Sequence, residues 1–167
     1  MKRCVAAIGG TSVRLVVNDR IDVVMATGAD GVHLRGDGIP TAAARGLLGN
    51  ACLIGRSVHS CEGAGRAGPV DYLIAGSVFE SVSKPGALTH LGLDGLRAIV
   101  AQAAPRPVWA IGGITADRLS AVTRAGAQGM ASIGAFIPSC APSVLASTVQ
   151  KQTADLRFCF DSPRAVS

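Results

Sequence analysis

"VWAIGGITADRLSAVTRAGAQGMASIGAF", residues 108 to 136, holds a whole structural unit. The run 108–112 has the length and apolar content of a strand, and it stops at Gly112 and Gly113. Residues 116–126, "ADRLSAVTRAG", read as a helix with Asp117 in its first turn and apolar residues on one face. Gly126 fits a left-handed helix cap, after which 129–133 reads as a second strand. Two neighbouring strands joined through a helix run parallel with a right-handed crossover.

The same unit recurs toward the N-terminus. Strand-like runs lie at 13–17, 31–34, 52–55 and 72–76, each with the composition of a fully buried strand, and helices are expected at 20–28 and 93–104. "ATGADGVHL" and "RAGAQGMASI" make the same helix-to-strand join: Gly, Ala, a polar residue, Gly. Six weak βα repeats therefore predict an α/β fold with a parallel sheet. Residues 77–107 hold an additional loop, "SVFESVSKPGALTHLG", before their helix, and a long loop in such a domain is more often functional than idle. A second "AIGG" at 7–10 precedes a strand instead of ending one and is taken as coincidence.

Composition narrows the functions. The 167 residues suit one domain, and 49% apolar with only 4% aromatic residues suits helices packed closely on a sheet. A charge of +5 would admit small anions, but the basic residues are scattered and no nucleic-acid stripe forms. Five cysteines without metal-type spacing read as buried thiols in a reducing cytoplasm. "MKRCVAAIGG" is too short and glycine-broken for a signal peptide, and no segment reaches membrane-spanning length.

In parallel α/β folds the reactive groups collect at the carboxyl ends of the strands. Those ends carry Asn18 and Asp19; Arg35 and Asp37; Arg56, Ser57 and His59; Ser77 with Ser81, Ser83 and Lys84 further along its loop; Gly112 and Gly113; and Gly134. The Gly112–Gly113 turn reads either as a plain βα turn or as a cradle whose free N–H groups take a phosphate. Paired with "SIGAF", it matches the phosphate site that barrels build after their last two strands. Asn18 or Asp19 could equally cap a helix. "GRSVHS" suits an anion, with His59 more often structural than basic, and His33 reads as a satisfied interior residue. Lys84, between hydroxyls and a Pro-Gly turn, suits a diphosphate clamp or is a plain surface lysine.

"LVVNDRIDVVMATGADGVHL", "IGRSVHS", "DYLIAGSVFESVSKPG", "LGLDGLRAIV" and "VWAIGGIT" together resemble the thiamine-phosphate synthase/TenI family, from about residue 13 to 137. The resemblance implies a (βα)8, TIM-type barrel. It also implies coupling of hydroxymethylpyrimidine pyrophosphate to thiazole phosphate, or, in TenI relatives, thiazole tautomerisation. Asp19 then falls on a Mg2+ ligand, with Asn18 beside it in the same motif. Ser57 and Lys84 fall on the pyrophosphate side, with Arg56 and Ser81 near it. Gly112, Gly113, Ile133 and Gly134 fall on the thiazole-phosphate site.

The chain departs from that pattern in three places. The first βαβ unit is missing, so residues 1–150 are expected to form an incomplete barrel of about six parallel βα units, followed by a weakly ordered tail at 151–167. Either a second copy covers the open edges, or the start lies upstream of Met1. After "GVHL" the chain reads "RGDGIP": Gly36 stands for the family's Gln, and Gly38 for its second metal-binding Asp, which argues against tight Mg2+ binding. Asp37 is expected to be a solvated turn residue. Ser77 stands where the tautomerase carries its acid–base His, so neither activity inherits a complete set. The expectation is a thiamine-biosynthetic enzyme with Lys84, Ser57 and Ser77 at its catalytic positions; the alternative is a non-catalytic phosphate-ligand-binding chain that needs a partner.

Overall fold

Six parallel strands lie in sequence order, β1 to β6, in a computed structural model of the chain. The structure describes residues 1–80 and 89–134, with 147, 148, 150, 151, 153 and 154. The order is α1 (Lys2–Ile8), β1 (Val16–Asn18), α2 (Ile21–Thr27), β2 (Gly31–Leu34), α3 (Thr41–Leu48), β3 (Leu53–Val58), α4 (Cys61–Gly65), β4 (Tyr72–Ala75), α5 (Gly92–Ala103), β5 (Val108–Ile111), α6 (Leu119–Arg124) and β6 (Gly129–Ala131). Closing a barrel of this kind takes eight strands, so these six form a curled half-barrel.

Burial alternates along the strands. Val32 and Leu34, Ile54 and Val58, Leu73 and Ala75, and Val108 and Ala110 are buried with Leu96, Ile99, Leu119 and Val122 of the helices in one apolar core. The opposite, concave face carries His33, Gly55, Ser57, Tyr72 and Trp109, and Trp109 is 41% exposed. The expectation of strands buried on both faces is thus corrected, because six strands leave the concave face partly open to solvent.

Two aspartates pin the amino ends of the strands. Asp30, just before β2, accepts from the Leu15 N–H at 2.8 Å and from Arg14 at 2.9 Å. Asp71, just before β4, accepts from the Ile54 N–H and from Arg45, both at 2.7 Å. Charge-assisted bonds of this kind fix register at the end of the barrel remote from chemistry.

Some boundaries differ from those expected. Residues 13–15 precede β1, since pairing with β2 begins only at Val16↔Gly31. The strand expected at 52–55 continues to Val58, because Arg56, Ser57 and Val58 pair with Leu73, Ile74 and Ala75. The helix expected at 116–126 opens as a 3-10 turn, Ala116–Arg118, before α6. Residues 7–10 end α1 and turn, some distance before any strand. Within the expected tail, 151, 153 and 154 are helical, and 155–167 lie outside the described residues. No helix among the described residues is long and apolar enough to cross a membrane.

Candidate active site

The carboxyl ends of all six strands open on one rim, and the concave face below it forms the floor. Two glycines shape that floor. His33, Gly55 and Tyr72 are register neighbours on β2, β3 and β4. A side chain on Gly55 would fall 2.1 Å from Tyr72 Cζ, so the bare glycine is what lets the Tyr72 ring lie across β3. The ring then stacks on His33 at 5.7 Å and on Trp109 at 5.3 Å between centroids. Trp109 in turn lies over Gly129, its register partner on β6. The result is a row of three flat rings, two of them, Tyr72 and Trp109, not singled out by the sequence.

His33 shares a 2.9 Å hydrogen bond between Nε2 and Ser57 Oγ, while its buried Nδ1 has no partner among the described residues. The expectation of a satisfied interior histidine holds for one nitrogen only. Burial lowers its pKa below the usual 6.5, partly opposed by the nearby Asp19 charge. A charged imidazole would also leave an unpaired N–H in a half-buried site, so the ring is neutral at pH 7. Burial likewise drives the Tyr72 phenol up to about 12, with the Asp71 charge adding to the effect.

The sign of the pH effect follows. Because folding lowers the His33 pKa, the unfolded chain binds more protons below about pH 6.5 and stability falls as pH drops through that region. Melting temperature should therefore decline between pH 7.5 and 5.5, and His33→Gln should shrink the decline. An identical pH profile in that variant would refute the assignment.

Ser77 and the glycine turn meet at the far side of the rim. Gly112 and Gly113 have positive φ, 99° and 61°. A Cβ on Gly112 would meet Ser77 Cβ at 2.7 Å, and one on Gly113 would meet the Glu80 carbonyl oxygen at 2.1 Å. The 77–80 segment is tied to this turn by Val78 N–H to Ile111 O at 2.9 Å and Phe79 N–H to Gly112 O at 3.1 Å. Arg118 donates to Gly113 O at 2.8 Å and lies over the Phe79 ring at 4.7 Å. No described residue accepts a hydrogen bond from the Gly113 N–H. Ile111 pairs with Ala131, so Ile133 and Gly134 emerge beside this turn, Ile133 64% exposed. The glycine turn after β5 and the residues after β6 thus lie side by side on this part of the rim.

The opposite side of the rim holds the charges. Asn18 ends β1, and Asp19 follows with φ 54°. Asp19 Oδ1 accepts from the Arg35 N–H at 2.9 Å, and its Oδ2 is 2.9 Å from Arg35 Nε. Asp37 is the solvated residue expected, 83% exposed and 3.8 Å from Arg35 Nε. Arg56 donates to the carbonyls of Gly36, Gly38 and Ile39 at 2.9 to 3.2 Å, so it holds the 35–40 loop in shape. His59 Nδ1 bonds to the Gly76 carbonyl, a structural role. Ser81, Ser83 and Lys84 lie outside the described residues.

These residues do not fit a preformed Mg2+ site. Among the described residues, no three His, Cys, Asp or Glu side chains come together. Asp19 alone is placed for the role, and both its oxygens are engaged by one arginine. A divalent ion on the same carboxylate would be repelled by the guanidinium by roughly 2 kcal/mol even at water's dielectric constant.

A parallel βα half-barrel with a glycine turn on one side of its carboxyl-end rim and an ionic cluster on the other defines a TIM-type α/β protein. Comparison with known proteins narrows the class. Residues 1–136 match the family model for thiamine monophosphate synthase. The chain is 43% identical over 162 residues to a thiamine-phosphate synthase of Agrobacterium fabrum, covering 93% of this chain and 70% of that protein. It is 46% identical over 127 residues to the Chloroflexus aurantiacus thiamine-phosphate synthase, covering 75% of this chain and 58% of that one. A thiamine phosphate pyrophosphorylase structure from Pyrococcus furiosus superposes with a TM-score of 0.77 at 33% identity, over 96% of this chain and 73% of that one. The chain belongs to the thiamine monophosphate synthase family.

Proposed function

We propose that the chain joins a pyrimidine carried on a diphosphate to thiazole phosphate, forming thiamine phosphate in the cytoplasm. The observation that supports this most is the placement of the ring row below a rim with a glycine turn on one side and the Asp19–Arg35 ionic cluster on the other. Two flat heterocycles that each carry an anion need those three elements together.

In the reaction, the carbon–oxygen bond to diphosphate breaks and its electron pair leaves with the diphosphate. The thiazole nitrogen then donates its lone pair to the exposed methylene, forming the carbon–nitrogen bond. The transient pyrimidine cation gains from the exposed part of Trp109, where a cation–π contact contributes about 0.5–2 kcal/mol. Gly112, Gly113, Ile133 and Gly134 take the thiazole phosphate, and Ser77 closes that side. Lys84, with Ser81, takes the departing diphosphate; Ser57 orients His33, and Arg56 shapes the facing loop.

The direct test is formation of thiamine phosphate from the two substrates by the purified chain, with thiazole tautomerisation assayed beside it. Tautomerisation without coupling would reassign the chain to the TenI activity, and binding of thiazole phosphate without either turnover would leave it a binding protein. Lys84→Ala should lower kcat/KM for coupling by about 10²-fold, the usual loss for one group that stabilises developing charge. Unchanged turnover would remove Lys84 from the site.

A further inference from the structure

The charged side of the rim has a feature that the family's use of Mg2+ does not explain. The positive φ of Asp19 and the bond from its N–H to His33 O at 3.0 Å turn its side chain toward the end of β2. There it meets Arg35 twice, through the backbone N–H and through Nε. Gly38 sits close enough that a Cβ on it would lie 3.5 Å from Asp19 Oδ1, and its bareness leaves the carboxylate without an acidic neighbour there. Arg56 fixes the loop that carries Arg35 by holding three of its carbonyls. Nη1 and Nη2 of Arg35 bond to no described residue, and the side chain is 70% exposed at the mouth.

We infer that Arg35 is the cation of this site: Asp19 holds its Nε, and its two terminal nitrogens receive the diphosphate, so that diphosphate binds without a divalent metal. The inference rests on the proposed reading of the rim as a diphosphate site. A guanidinium suits the task because it offers paired N–H donors to phosphate oxygens and keeps its charge at any working pH. Asp19 is then a positioning residue rather than a metal ligand.

The probe is inorganic pyrophosphate, titrated calorimetrically into the purified chain in excess chelator and again in millimolar Mg2+. Affinity in chelator should lie within about 3-fold of that in Mg2+, and Arg35→Gln should weaken chelator binding by about 30-fold or more, a charge-assisted bidentate contact being lost. Arg35→Lys, with the charge but not the fork, should fall between. Melting temperatures of both variants should match the parent, since the side chain is exposed. Binding that requires Mg2+, or that survives Arg35→Gln in chelator, overturns the inference. Coupling activity separates it from the function proposed above: turnover that needs Mg2+ and ignores Arg35→Gln sinks only the arginine. Metal-free pyrophosphate binding through Arg35 without thiamine phosphate formation sinks only the reaction.

Discussion

Gly55→Val should reduce kcat/KM for coupling by about 10² to 10³-fold and lower stability by about 1–3 kcal/mol. The introduced Cβ would lie 2.1 Å from Tyr72 Cζ and 2.5 Å from its hydroxyl oxygen, so the ring has to leave its place across β3. With it go the stack on His33 and the contact with Trp109, and the floor on which the pyrimidine would lie is broken. The chain has one tryptophan, and it is the third ring of the row, so the intrinsic fluorescence of Trp109 reports the displacement independently of activity. Tyr72→Phe keeps the ring and should stay within about 3-fold of the parent, because no described residue bonds to the phenol and burial already keeps it protonated. Gly55→Val with parental kcat/KM and unchanged emission would show that the ring row has no part in catalysis.

The six strands were legible because each is an apolar run closed by glycine or a polar turn, and periodicity reports such runs well. Their ends were less so. Arg56 and Ser57 look like loop residues in sequence, yet β3 runs through them because β4 pairs alongside. Helix α1 buries no residue, so it carries no amphipathic pattern to read. The rim positions of Asn18, Asp19, Ser57, Ser77 and Gly112 followed from the rule that strand ends converge. What the side chains do there did not. Arg35 reaches Asp19 only because Asn18 pairs with His33, which places the residues after each strand side by side. Arg56 has the charge of an anion ligand but spends it on loop carbonyls. The roles of Tyr72 and Trp109 depend on register in the same way. The signal that could have found them is an aromatic residue opposite glycine on a neighbouring strand, and it exists only once register is known.

Gly113→Ala tests the other half of the site, and here the backbone resists. At φ 61° an alanine is strained by about 1 kcal/mol or more, before any contact is counted. Its Cβ would then sit 2.1 Å from the carbonyl oxygen of Glu80, a main-chain atom. Glu80 cannot yield cheaply, because Val78 and Phe79 just before it are bonded to Ile111 and Gly112, and Arg118 clamps Phe79 against the turn. The strain therefore goes into the turn, and the amides of the cradle lose their aim. Affinity for thiazole phosphate should fall about 10²-fold and stability by about 1–3 kcal/mol, read by calorimetry and thermal melting. Gly134→Ala is the contrast: among the described residues no atom lies within 4 Å of its added Cβ, so stability should change by no more than about 0.5 kcal/mol. If both variants bind thiazole phosphate like the parent, the cradle does not hold that phosphate. If Gly113→Ala alone loses it, the ligand sits on the backbone of the β5 turn, where only a glycine leaves the N–H groups free to point.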